Sequence, residues 1–99
     1  MNELEQLQAS AAQAAALLKA MSNPRRLLIL CMLCGAPGTS AGELARATGL
    51  SASATSQHLA RMREEGLIDS TREAQRILYF IKNDAVNKLI STLKTLYCP

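Results

Sequence analysis

The chain has 99 residues, nearly half of them apolar (48%), a net charge of +3, three cysteines and one histidine. That length makes one domain with a modest core of its own. There is no apolar run able to span a bilayer, no signal-peptide pattern, no catalytic triad or phosphate loop, and too little histidine for a His-based zinc site, so neither a membrane protein nor an enzyme is expected.

In chain order, Leu4, Leu7, Ala11, Ala14 and Leu18 recur at helical spacing in an alanine-rich segment and predict an amphipathic helix over about residues 3–20. Ser22-Asn23-Pro24 interrupts it, with Asn23 as the cap of a second helix and Pro24 at its first position, where a missing N–H costs nothing. The run RRLLILCMLCG is apolar nearly all round and stops at Gly35, which places it in the middle of the core. Arg25 and Arg26 stand at its start, available to a phosphate or to a carboxylate. Ala36-Pro37-Gly38-Thr39 reads as a turn.

A third, short helix starts at Ser40, whose hydroxyl caps the first turn while Glu43 reaches back, the S-x-x-E capping box. Gly49 ends it, since glycine tolerates the left-handed backbone of a sharp turn, and Leu50 plugs the corner. A fourth helix runs from Ser51 to about Glu65 with Ala52, Thr55, Leu59 and Met62 on its inward face. Its outward face carries Ser51, Ser53, Ser56, Gln57 and Arg61, with His58 at the flank. Small hydrogen-bonding groups framed by alanine suit a helix that enters a major groove, where bulk holds the backbone away and an amide reads adenine. The alternative is an ordinary pair of amphipathic helices with a solvated polar face. It fits less well, because the first two turns of that face carry almost no charge. The reading is a helix-turn-helix over about residues 40–65.

After Gly66, Leu67-Ile68-Asp69-Ser70 and Ile77-Leu78-Tyr79-Phe80 read as two strands around a polar tip, Thr71-Arg72-Glu73-Ala74-Gln75-Arg76. A hairpin directly after a recognition helix is a wing, here about residues 67–81, and Arg72, Gln75 and Arg76 suit phosphates or a minor groove. The alternative is a charged hairpin loop without a ligand. Asn83 caps a last helix over about residues 83–97, with Val86, Leu89, Ile90, Leu93 and Leu96 as an apolar stripe. One small domain has little core left for that stripe. The first and last helices are therefore expected to form a homodimer interface, and the dimer to read an inverted-repeat operator with half-sites about 34 Å or a multiple apart. The whole is a mainly α, winged helix-turn-helix domain over residues 1–99, in the order helix, helix, helix, helix, strand, strand, helix.

The segments SNPRRLLILCML, GELARATGLSASATSQHLARMREEGLI and REAQRILYFI resemble the ArsR family of winged-helix repressors over essentially the whole chain. LLILC together with the terminal LYC resembles its dithiol branch, the biofilm growth-associated and sulfide-responsive repressors, with enterobacterial members inducible by tributyltin among them. The resemblance implies sensing by Cys31 and Cys98, groove reading by Ser53, Ser56, Gln57 and His58, and backbone contacts by the wing arginines. The chain departs from metal-sensing relatives: GELARA holds no C-x-C, and the last helix offers Asp84 but no histidine.

A cysteine without a secretory signal points to a reducing cytoplasm. Taken singly, Cys31 and Cys34 read as small hydrophobes of an apolar helix. Cys98, at the end of the last helix, is placed for reaction. If the last helix crosses the apolar one, Cys31 and Cys98 come within reach of each other, and sulfane sulfur or an oxidant would bridge them and release DNA. Cys34 is structural or a secondary thiol. No cofactor is expected on this reading. A second reading has the same cysteines take a soft metal, organotin or haem, and a third keeps the fold as a protein-interaction module without DNA.

Overall fold

The computed structural model describes residues 2–98; Met1 and Pro99, the two ends of the expected 1–99 unit, lie outside the described residues. Helix α1 spans Glu3–Met21, α2 Pro24–Gly35, α3 Ala41–Thr48, α4 Ala52–Glu64 and α5 Asp84–Tyr97. Strands β1 Thr39–Ser40, β2 Ile68–Glu73 and β3 Arg76–Ile81 form one antiparallel sheet in the order β1-β3-β2. This is a mainly helical winged helix-turn-helix.

Local chemistry sets each helix start. The Asn23 carboxamide accepts from the Arg25 and Arg26 amides, with Pro24 in the first turn of α2. The capping box of α3 is complete: the Glu43 amide donates to the Ser40 hydroxyl and the Glu43 carboxylate accepts back from Ser40. Gly49 then takes φ 74°, a left-handed value that costs a residue with a Cβ more than glycine, and this turns the chain from α3 into α4. Asn83 caps α5 by accepting from Ala85 and Val86.

The core lies where α2 meets α3, α5 and the sheet. Ile29, Leu30 and Leu33 of α2 pack with Leu44, Leu59, Met62, Leu67, Ile68, Val86 and Ile90. Thr55 is buried with them, and its hydroxyl is satisfied by donating 2.9 Å to the Ser51 carbonyl. Helix α1 stands apart and buries only Met21, leaving Leu4 63% and Leu7 61% exposed. Its projection explains a radius of gyration of 14.8 Å, against about 13 Å for a compact chain of this length.

Three expectations are corrected. Ala52 is exposed, because as the first helical residue of α4 it precedes the turn that meets the core. The segment read as a turn ends in a strand, β1, in which Thr39 and Ser40 pair with Tyr79 and Leu78. The wing tip is shorter than the six residues expected: Thr71, Arg72, Glu73 and Arg76 lie in register in the strands, and only Ala74 and Gln75 turn, with Ala74 at φ 58°. The stripe of α5, by contrast, continues past the core as its length leads one to expect, leaving Leu96 70% exposed.

Candidate nucleic-acid interface and thiol cluster

Helix α4 divides into two faces. Thr55, Leu59 and Met62 anchor it in the core, and Ser53, Ser56, Gln57 and Arg61 point to solvent. Ser51 is the N-cap: its oxygen accepts from the Ala54 amide at 3.0 Å, which leaves the hydroxyl proton free to donate outward. His58 is half-buried at the flank. Burial, followed by the positive charges of Arg26 and Arg25, holds its imidazole below the usual histidine range, so it is neutral near pH 7 and offers one donor and one acceptor.

The wing lies beside this helix pair. Arg76 pairs with Glu43, the same carboxylate that completes the α3 capping box. That carboxyl sits below its usual value, chiefly through the Ser40 hydroxyl hydrogen bond, then the Ser40 amide, with Arg76 and Arg46 adding to it. Arg72 leans back toward the Ala74 carbonyl at 3.4 Å, and Gln75 is free on the turn. Arg61 pairs with Glu65 at 3.5 Å. Exposed pairs of this kind are worth about 0–1 kcal/mol. They therefore yield readily to a phosphate, and all three arginines remain available as cations.

The two arginines at the start of α2 part company. Arg25 stays exposed. Arg26 turns inward, donates 2.9 Å to the Ala20 carbonyl at the end of α1 and approaches the Glu65 carboxylate at the end of α4 at 3.5 Å. This link between α1 and the recognition helix was not legible in the sequence, where partners 39 residues apart leave no spacing signal.

The thiols lie on α2 and at the end of α5. Cys31 and Cys34 are half-buried on α2, and Cys98 is exposed at the end of α5, which packs on α2. The Cys31 thiol is pushed up by burial first and then by the charge of Cys98, which therefore lies within electrostatic reach of it; Lys94 of α5 pulls it down, and Cys34 raises it slightly. Lys94 was absent from the expected site, although its place one turn before Cys98 was a usable signal. Among the described residues no three His, Cys, Asp or Glu side chains converge as a metal ion would need, and no helix is long and apolar enough to cross a membrane.

Residues 23–70 match the model of a bacterial regulatory protein family, the arsR family. The chain is 81% identical to the HTH-type transcriptional regulator YgaV of Escherichia coli K12 over the full length of both, and 45% identical to the transcriptional activator HlyU of Vibrio cholerae serotype O1, over 96% of this chain and 87% of that one. Among solved structures, the transcriptional repressor BigR of Xylella fastidiosa superposes with a TM-score of 0.86 at 32% identity, covering 95% of this chain and 92% of that one. The homodimeric winged helix-turn-helix DNA-binding domain of a possible ArsR-family regulator from Mycobacterium bovis does so with 0.78 at 28% identity, covering 97% and 86%.

Proposed function

This chain belongs to the ArsR family of bacterial regulatory proteins, whose members are transcriptional regulators and not enzymes, and we propose that it is a homodimeric repressor released from its operator by reactive sulfur. In the thiol form, the exposed α4 residues Ser53, Ser56, Gln57, His58 and Arg61, with Ser51 at the helix start, read the major groove. Arg72, Gln75 and Arg76 of the wing hold the flanking backbone. The pairing surface is α1 with the outer part of α5, where Leu4, Leu7, Leu96 and Tyr97 are exposed and where one subunit alone leaves a large apolar area uncovered. The homodimeric neighbour supports this arrangement, and the related repressor supports the sign of regulation.

The observation that carries the sensing is that α5, which ends at Cys98, packs on the helix that holds Cys31, with Cys98 close enough to act on the Cys31 thiol. A hydropersulfide donates its outer sulfur to one thiol, giving a protein persulfide and a released thiol. Attack by the second thiolate on the protein-bound sulfur expels hydrosulfide and leaves a disulfide. Transfer of two sulfur atoms, followed by attack on the middle one, leaves a trisulfide, which spans a wider gap. The bridge fixes the end of α5 against α2, and so shifts the paired helices that set the separation of the two recognition helices. A coupling of about 1–3 kcal/mol weakens operator binding roughly 5-fold to 150-fold.

The test is treatment with polysulfide, mass spectrometry of the cysteine products and titration of promoter DNA. Bridged protein should bind several-fold more weakly, and the Cys31→Ser and Cys98→Ser variants should not respond. Unchanged binding after verified bridging removes the mechanism. A second reading, an activating dimer, is favoured by the relative called an activator. A promoter reporter in cells with and without the protein separates the two signs.

A further inference from the structure

We propose that Lys94 is a positioning residue for this thiol chemistry: its ammonium, seated over Gly35 at the carboxyl end of α2, supplies the positive charge that makes Cys31 react as its thiolate. The proposal rests on the sensing role given to Cys31 above and names the group that tunes it.

Gly35 provides the first observation. It is the last residue of α2, and its φ is not among the positive values, which fall on Gly38, Gly49 and Gly66, so the backbone there does not require glycine. What the glycine leaves is room for a neighbour: a Cβ on Gly35 would stand 3.2 Å from the Lys94 ammonium, closer than ordinary contact, so the lysine tip would have to give way by a few tenths of an ångström. The absent side chain leaves the seat that the ammonium occupies.

The helix end provides the second. The last turn of α2 has no basic residue of its own, and the carbonyls at a helix carboxyl end carry a partial negative charge. Lys94 brings the missing charge from α5.

Register provides the third. Cys31 and Gly35 are one turn apart on α2, and Lys94 and Cys98 one turn apart on α5, where the Cys98 amide donates 2.8 Å to the Lys94 carbonyl. Residues four apart share a helix face. Lys94 sits beside Gly35, so its ammonium lies about one helical turn from Cys31, and an antiparallel register of the two faces carries Cys98 toward Cys31, in keeping with its effect on that thiol. The titratable groups acting on Cys31 are Cys98 and Lys94 from α5 and Cys34 from its own helix; burial and both cysteines disfavour its thiolate, and Lys94 alone favours it.

The experiment uses the full chain with Cys34→Ser and Cys98→Ser, so that Cys31 is the one thiol, and follows its alkylation by iodoacetamide as a function of pH. In this background Lys94→Met should move the midpoint of the profile upward and slow alkylation at pH 7 about 3-fold to 10-fold, the size expected when a unit charge a few ångströms from a partly solvated thiolate is lost. Lys94→Arg should restore the parent midpoint. Lys88→Met, which removes an exposed lysine paired with Asp84 on the same helix, should leave it unmoved. A merely structural role for Lys94 changes the plateau at high pH, where the thiol is fully ionised and only access matters, and leaves the midpoint in place. A Lys94→Met midpoint equal to the parent's, or one that Lys94→Arg fails to restore, overturns the proposal. The readout involves neither DNA nor persulfide, so its failure is separate from a failure of sulfur-triggered release.

Discussion

Replacing Arg26 by methionine tests the link between α1 and the recognition helix. Methionine keeps most of the stem and its packing and removes the guanidinium. The lost interactions are the charged hydrogen bond to the Ala20 carbonyl at 2.9 Å and the pair with Glu65 at 3.5 Å. A hydrogen bond from a charged donor contributes about 1.5–3 kcal/mol. The Arg26 side chain is 17% exposed but that of Glu65 is 32% exposed, so solvent screens the pair to about 0.5 kcal/mol. Against these stands a gain, because the Arg26 Nε is buried without a partner and removing it recovers about 1 kcal/mol or more of desolvation. The net cost is about 1–2 kcal/mol, which for a domain of this size lowers the Tm by about 5 to 15 °C. Circular dichroism melts at one fixed protein concentration measure it, since the proposed pairing of subunits would make Tm depend on concentration. Glu65→Gln, which removes only solvent-screened pairs, those with Arg26 and with Arg61, should lower Tm by no more than a few degrees. A Tm for Arg26→Met within about one degree of the parent, or an equal loss from Glu65→Gln, would refute the assignment of the main contribution to the Ala20 hydrogen bond.

Three further outcomes follow from the same geometry. Gln57→Ala should cost about 1–3 kcal/mol of operator affinity and relax the preference at one base pair, and competition with a mutated operator set measures both. Leu7→Glu places a charge on the exposed stripe of α1 and should shift the protein from dimer to monomer in sedimentation equilibrium while leaving its helical circular dichroism intact. His58 is held below its usual range when folded. The unfolded chain therefore binds its proton more readily, and the stability His58 contributes is full above about pH 6.5 and is lost as pH falls toward the folded value. His58→Gln should flatten the fall of Tm between about pH 7 and pH 5, and an unchanged slope would show that other groups cause it.

What the sequence made legible was local chemistry. The Ser40 and Glu43 box, Asn23 with Pro24, Gly49 and the Asn83 cap all act within four residues, and each stands where its spacing put it. What stayed hidden depends on partners distant in the chain. Thr39 and Ser40 become a strand only because Tyr79 and Leu78 arrive beside them. Arg76 finds Glu43, Arg26 finds Ala20 and Glu65, and Lys94 finds Gly35 with no periodicity to announce the meeting. The wing tip was misjudged for another reason. A two-residue hairpin turn normally declares itself by Asn-Gly or a similar pair, whereas here Ala74 takes a positive φ with a Cβ in place.

Helix α4 is fastened to the body by one narrow buried line, Thr55, Leu59 and Met62, while two of the sulfurs sit on α2 against the core and the third caps the end of α5. On the proposed mechanism, substitution at the carboxyl ends of those two helices alters the stimulus without disturbing a base-facing atom, and substitution at Ser53 or Gln57 retargets the promoter without touching a thiol. A chain that works in this proposed way is modular within fewer than a hundred residues, and descendants of one gene are free to exchange signals and targets independently.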